Sequence, residues 1–306
     1  MAWLLGIAPL VLNSNAAEPA VVPLRLAGYV PDYRLPAMDF SRTRGLTDLL
    51  LFSAQPTREG AIDLGTLGQS SWTGAYSLKS EHHVRLILCV GGWGRSEGFP
   101  AIATNAPLRE TFARKALALC RERRLDGMDL DWEHPKNPTE EQGYAALLAA
   151  LRSELHPHGF TLSVTIAAWQ HLPRSTWKSV DWVHLMAYDH SGKHATFEGA
   201  TNDVQRLINA GVPRQKLILG LPFYGRDPHQ RERTLAYGEI LTKYHPAPEV
   251  DEVDGLYFNG PALIRRKIGF VKETGLGGVM IWELGQDAKG DASLLKITAD
   301  TLNATP

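Results

Sequence analysis

Cysteine is nearly missing: two residues in 306 cannot make a disulfide framework. Cys89 falls in an apolar strand-like run and Cys120 on the apolar face of a helical stretch. Both are expected as buried thiols, because neither sits beside a histidine or in an exposed glycine-rich turn, where a catalytic thiol belongs. A charge excess is missing too. With 32 Lys and Arg against 33 Asp and Glu the net charge is −1, and no basic stripe is long enough to track phosphates, so no nucleic-acid partner is expected. RERR at 121–124 reads as a solvated helix end. No apolar run is long enough to span a bilayer, so no membrane partner is expected either. The apolar stretch from Trp3 to Leu12, followed by small polar residues to Ala17, reads as a secretory signal over residues 1–17 that lacks the usual basic start. That predicts a secreted or periplasmic protein. Internal repeats, low-complexity segments and linkers are also lacking, so one domain over residues 24–304 and a monomer are expected.

What the chain does have is a regular alternation. Short β-branched or Leu-rich runs begin near residues 25, 48, 84, 125, 161, 181, 216 and 277, with helical segments between them. This is the signature of parallel βαβ units, and eight of them in one chain point to a closed (β/α)8 TIM barrel. An open doubly wound sheet is the rival, but it needs a glycine-rich phosphate turn after its first strand, and Gly28-Tyr29-Val30-Pro31 is not one. Helical faces support the count. Between Leu108 and Arg124 the residues Phe112, Ala113, Ala116, Leu117 and Cys120 share one side. Thr139 and Gln142 have capping-box spacing before a helix expected over Tyr144–Leu155. A last long helix is expected over Pro261–Glu273, and a shorter one near Leu235–Tyr244, with the acidic EVDEVDG turn on the surface.

The fourth run carries the chemistry. In DGMDLDWE, residues 126–133, Asp129, Asp131 and Glu133 alternate with Met128, Leu130 and Trp132. On a strand the three acids share one face and the three apolar residues the other. Like charges stacked in a partly dry site cannot all ionise, so at least one carboxyl is pushed towards holding its proton near neutral pH. That is what protonating a glycosidic oxygen requires. A calcium loop counted from Asp129 is the metal alternative. It fails at its sixth position, where His134 replaces the needed glycine, and Pro135 and Pro138 stiffen the turn. Asp126 has the wrong parity for the acid face and is expected to brace the barrel base.

Reactive groups of this fold gather where strands end. Here those ends carry Tyr29, Gly91-Gly92-Trp93, Asp131 and Glu133, Met186-Ala187-Tyr188-Asp189, Phe223-Tyr224, and Trp282-Glu283. Acids and aromatic rings on one rim describe a carbohydrate cleft. Tyr29, Trp93 and Tyr224 could either touch sugar or close the barrel top. Trp169, Trp177 and Trp182 read as packing residues, and His134 and His190 as satisfied hydrogen-bond partners.

These motifs resemble glycoside hydrolase family 18, the chitinases and their relatives, over nearly all of the chain beyond the leader. The family's DxxDxDxE stands as Asp126, Asp129, Asp131 and Glu133, and the GY of strand one, the Gly-Gly pair, MxYD, the LPFYGR segment (221–226) and VMIWE (279–283) also match. The resemblance implies hydrolysis of β-1,4-linked N-acetylglucosamine polymers with retention, by a route in which the substrate's own acetamido group is the nucleophile. Glu133 would be general acid and base. Asp131 would orient the acetamido group, Asp129 would modulate the shared charge, and Tyr188 would bond the acetamido oxygen. It also implies substrate-binding roles for Asp189, Trp282, Tyr29, Trp93, Met186 and Tyr224, and no metal or cofactor. Cys89 departs from the family's usual Ser, His134 from its Tyr, and His190 from an apolar residue. The family's larger inserted subdomain before the last strand has no room here, which predicts a shallower cleft and internal cuts. An endo-β-N-acetylglucosaminidase acting on glycoprotein glycans or peptidoglycan, or a non-cutting lectin, are the alternatives.

Overall fold

The computed structural model describes residues 23–43 and 45–304; the leader expected over 1–17 lies outside the described residues. Eight strands form the frame: β1 Arg25–Pro31, β2 Asp48–Pro56, β3 Arg85–Gly91, β4 Gly127–Asp131, β5 Thr161–Ile166, β6 Trp182–Leu185, β7 Leu217–Pro222 and β8 Gly278–Trp282. Each pairs parallel with the next, and β8 pairs with β1. The sheet is therefore a closed (β/α)8 barrel, as the alternation predicts, and closure leaves these strands no free edge.

Strand periodicity separates two apolar layers. Met128, Leu130 and Trp132 point outward into the layer between barrel and helices, with Leu86, Leu88 and Val90 of β3 beside them. Each such side chain contributes roughly 1.5–3 kcal/mol on full burial. Trp132 is 2% exposed and packs on Phe99 at 5.5 Å and edge-on to Tyr144 at 5.2 Å. The inner layer holds Ala27, Tyr29, Leu50, Phe52, Ile87, Cys89, Ile218 and Met280. On β4 the inward residues are Asp129 and Asp131, so acids stand where this fold usually stacks aliphatic residues.

The helix Ala106–Glu122 buries the expected face, and Asn105 caps it through Leu108 N. The helix expected from Tyr144 begins six residues earlier, at Pro138, and its cap is Asn137 rather than Thr139. Asn137 accepts from Glu140 N at 3.0 Å while the Glu140 carboxylate takes the Lys136 N–H at 2.8 Å. Proline is favoured at the first helical position, so the start shifts towards Pro138. Helices Tyr237–Tyr244 and Pro261–Thr274 fall where expected. Between β7 and β8 the chain also builds a small antiparallel sheet from Tyr224–Arg226, Thr234–Ala236, Glu252–Val253 and Leu256–Tyr257. The acidic turn is the tip of its last hairpin. Strands of two or three residues are too short to show a period.

At the closed end of the barrel Asp126 accepts from Leu86 N at 2.8 Å and pairs with Lys79 at 2.8 Å. It braces the base, away from the cleft. Both thiols are buried and unpaired.

Candidate active site

Two glycines let the acids through. Gly91 and Gly92 have φ of +103° and +101°, a region that favours glycine. A Cβ on Gly91 would lie 2.1 Å from the Asp131 carbonyl oxygen, and one on Gly92 would lie 2.3 Å from the Phe52 ring. Just beyond, the buried Ser96 hydroxyl bridges Gly92 O at 3.0 Å and Asp131 O at 3.2 Å and accepts from Glu133 N at 3.1 Å. This hydroxyl, which the sequence reading did not single out, steers the chain from β4 into the turn that presents Glu133.

Asp129 is fully buried and surrounded by donors. Ser163 Oγ donates at 2.6 Å, Tyr29 Oη at 2.9 Å and Thr165 Oγ1 at 3.0 Å, and His184 Nδ1 lies 3.5 Å away. Burial alone would raise its pKa, but His184, Ser163 and Tyr29 outweigh burial and hold it below the usual carboxylate value. The hydroxyl put in doubt by Cys89 is thus supplied from β5, where Ser163 faces Asp129 across the ladder. Burial, then the charge of Asp129, pushes the Cys89 thiol well above its ordinary value.

One step up the strand the environment reverses. Asp131 is 3% exposed and its buried Oδ1 has no hydrogen-bond partner. Burial, then Glu133, then Asp129 drive its pKa well above the ordinary value. Glu133, at the mouth, is pushed up to about 7 by burial and by the charge of Asp189, against a pull from the Trp93 backbone N–H. The column therefore favours the charged form at its foot and proton retention on the pair above.

The β6 end completes the wall. Tyr188 is buried, and among the described residues its hydroxyl touches only Met280 Sδ, at 4.0 Å. Asp189, at φ +65°, is held by the Tyr224 hydroxyl and by Arg226 at 2.8 Å. Burial would raise Asp189, but His194, Tyr224 and Arg226 bring it below its ordinary value. Trp282 stands edge-on to Phe52 at 4.7 Å and 5.7 Å from Tyr29.

Above these groups lies a cleft of about 960 Å³, lined by Asp131, Glu133, Met186, Tyr188, Asp189, Trp93 and Trp282 among others. Two residues expected to touch sugar are buried, Tyr29 in the lining of the cleft and Tyr224 behind it. Tyr29 is 1% exposed with its hydroxyl committed to Asp129, and Tyr224 is 5% exposed with its hydroxyl on Asp189. Both orient a carboxylate from below. Trp169, read as a packing residue, is instead 52% exposed on the cleft wall. It packs edge-on to His134 at 4.5 Å, and His134 lies 6.5 Å from Trp93, itself 78% exposed. Trp177 and Trp182 do pack: Trp177 is buried, and the Arg25 guanidinium lies over the Trp182 ring at 4.9 Å. His190 bonds Asp203 at 2.7 Å, as a satisfied histidine should. The lining also includes Asp203, Arg206, Arg226, Arg231 and Glu232. Apart from the LPFYGR match at Arg226, no local pattern marked them. Among the described residues no cluster of three metal-ligating side chains occurs, and no helix is long and apolar enough to cross a membrane.

A closed (β/α)8 barrel with stacked carboxylates and exposed indoles at its C-terminal rim defines a carbohydrate-cleaving enzyme class. The profile of glycosyl hydrolases family 18 matches residues 69–287, and the chain belongs to that family. Chitinase 1 of Aphanocladium album is 32% identical over 301 residues, an alignment covering 79% of this chain and 71% of that protein. The fold is shared with the chitinase ChiB from the chitin utilization locus of Flavobacterium johnsoniae, at TM-score 0.80 and 24% identity over 92% of this chain and 94% of the other. A chitinase from Cycas revoluta, solved in complex with (GlcNAc)4, aligns at TM-score 0.77 and 22% identity over 90% of this chain and 99% of the other.

Proposed function

We propose that the protein hydrolyses β-1,4-linked N-acetylglucosamine polymers with retention of anomeric configuration, using Glu133 as general acid and then base. The observation that carries this reading is a carboxyl held protonated to about 7 at the mouth of a glycan-sized cleft, directly above a buried acid with an unpartnered oxygen.

No protein carboxylate is offered as nucleophile. Asp129 is buried and saturated with donors, Asp131 is driven towards holding a proton, and Asp189 is tied to Arg226 and Tyr224. The substrate's acetamido oxygen takes that role. It bonds to the anomeric carbon as the glycosidic bond breaks and the Glu133 proton passes to the departing oxygen. As Glu133 gives up its proton the Asp131 proton passes towards it, so Asp131 becomes the charged acceptor of the acetamido N–H and stabilises the cationic ring, while the uncommitted Tyr188 hydroxyl meets the acetamido group. Trp282 is the apolar floor for that sugar, and Trp93 and Trp169 extend the platform. Water then attacks the same carbon as its bond to the acetamido oxygen breaks, the water proton goes to Glu133 while the shared proton returns to Asp131, and two inversions give net retention. The low wall formed by the small sheet between β7 and β8 favours internal cuts. The apolar segment Trp3–Leu12, with the pattern of a secretory signal, supports action outside the cytoplasm.

Proton NMR of a soluble chitin oligosaccharide with fresh enzyme tests the reading. The new reducing end should appear first as the β-anomer. First appearance of the α-anomer would overturn the acetamido route, and no cleavage of chitin oligomers alongside cleavage of a glycoprotein glycan would move the substrate.

A further inference from the structure

The barrel interior below Asp129 contains a histidine that the mechanism above does not use. His184 on β6 is 4% exposed, and its Nδ1 lies 2.9 Å from the Tyr29 hydroxyl and 3.5 Å from Asp129 Oδ1. Hydrogen counting fixes what these contacts mean. A phenol has one hydrogen, and an ionised carboxylate only accepts. If Tyr29 donates to Asp129 Oδ2, the Tyr29 oxygen must receive the hydrogen of His184 Nδ1. If Nδ1 lacks a hydrogen, Tyr29 turns its own towards the imidazole and Asp129 loses the Tyr29 donor, keeping Ser163 and Thr165, whose hydroxyl also lies 2.7 Å from that of Tyr29. The tautomer of His184 therefore decides whether Tyr29 is a donor to Asp129.

We propose that His184 is a positioning residue for this reaction: by donating Nδ1–H to Tyr29 it directs the Tyr29 hydrogen onto Asp129 and keeps Asp129 the ionised acid of the column. This rests on the reading of Glu133 and Asp131 given above. With Asp129 ionised, the mobile proton stays on Asp131 and Glu133, where the reaction consumes it. The charged and titratable groups facing His184 are consistent with this arrangement. Asp129 from β4 and Tyr29 from β1 lie above it, with Cys89 of β3 close to Asp129. A cavity of about 10 Å³ below it is shared with Arg25, Asp48 and Arg85. Asp48 is clamped by Arg25 at 2.9 Å and Arg85 at 2.6 Å. Two guanidiniums against one carboxylate hold that side of the cavity in a fixed arrangement, and Tyr29 and Asp129 are the partners on the other.

The test compares His184→Leu with His184→Asn, whose side-chain amide N–H can still reach Tyr29. With Asp129 easier to protonate, H184L should move the acid limb of kcat/KM upward by about one pH unit, and H184N should bring the limb back towards wild type. A limb unmoved in a folded H184L protein would overturn the proposal. Carbon-13 NMR titration of the Asp129 carboxyl, assigned through Asp129→Asn, reads the same shift without turnover. An upward Asp129 shift in H184L supports His184 even if the role of Glu133 is wrong; an unchanged Asp129 titration rejects it even if Glu133 is the acid. If H184L does not fold, an Asp129 that titrates identically in wild type and H184N, with a normal acid limb, keeps the proposal, and one that titrates higher in H184N overturns it.

Discussion

Asp129 and Asp131, two residues apart on one strand and both buried, are shifted in opposite directions, the first towards its charged form and the second towards holding a proton. Asp129 is ringed by the hydroxyls of Ser163, Tyr29 and Thr165, which favour its charged form, while Asp131 has a bare Oδ1 and is driven towards its protonated form. A strand repeats its direction every second residue but not its neighbours, so the difference comes from what the adjoining strands bring to each level.

Asp131→Asn tests the upper level. The amide mimics the protonated acid in shape and charge, so the fold should lose little stability by thermal unfolding. It cannot shift its charge as the reaction proceeds, and kcat should fall by about 10²-fold or more. Wild-type turnover in the variant would remove Asp131 from the mechanism.

Glu133 gives a pH prediction with a definite sign. Its value rises from 4.5 to about 7 on folding, so its contribution to stability is full below 4.5 and lost as the pH rises through about 7. Glu133→Gln cannot ionise. It should match wild type in stability near pH 4 and exceed it at pH 8 by up to about 3 kcal/mol. Turnover should be abolished with oligosaccharide binding largely kept, and the wild-type kcat/KM should fall on the alkaline side near 7 as the acid is lost. Calorimetric melts at the two pH values and a pH-rate profile read these outcomes.

The exposed indoles should act on binding alone. Trp93→Ala and Trp169→Ala should each weaken binding of long chitin oligomers to Glu133→Gln by about 1 kcal/mol, or roughly fivefold. The unfolding midpoint should move little, since both rings are largely in solvent. Equal loss with the shortest oligomers would place them elsewhere than along the glycan.

Gly91 and Gly94 form a matched pair for backbone effects. At Gly91 an added Cβ meets the Asp131 carbonyl at 2.1 Å, whereas at Gly94, φ +71°, it meets nothing within 4 Å. Gly91→Ala should cost at least ~2 kcal/mol and most of the activity, and Gly94→Ala only about 1 kcal/mol. Denaturant unfolding of the two variants separates the clash from the conformational strain they share.

The sequence determined whatever depends on period and local chemistry. The eight strand-like runs predict the barrel, and the alternation in DGMDLDWE assigns Asp129, Asp131 and Glu133 to one face and Met128, Leu130 and Trp132 to the other. Tertiary structure decided what those acids are. Asp129 meets Tyr29 from 100 positions earlier, while His184 and Tyr29, which meet beside it, are 155 positions apart. Proton affinity follows burial and through-space neighbours, which no local window contains. For the same reason Trp169 could not be told from a packing tryptophan, nor Tyr29 and Tyr224 recognised as partners of Asp129 and Asp189, until barrel closure fixed which rings face water and which hydroxyls are bonded.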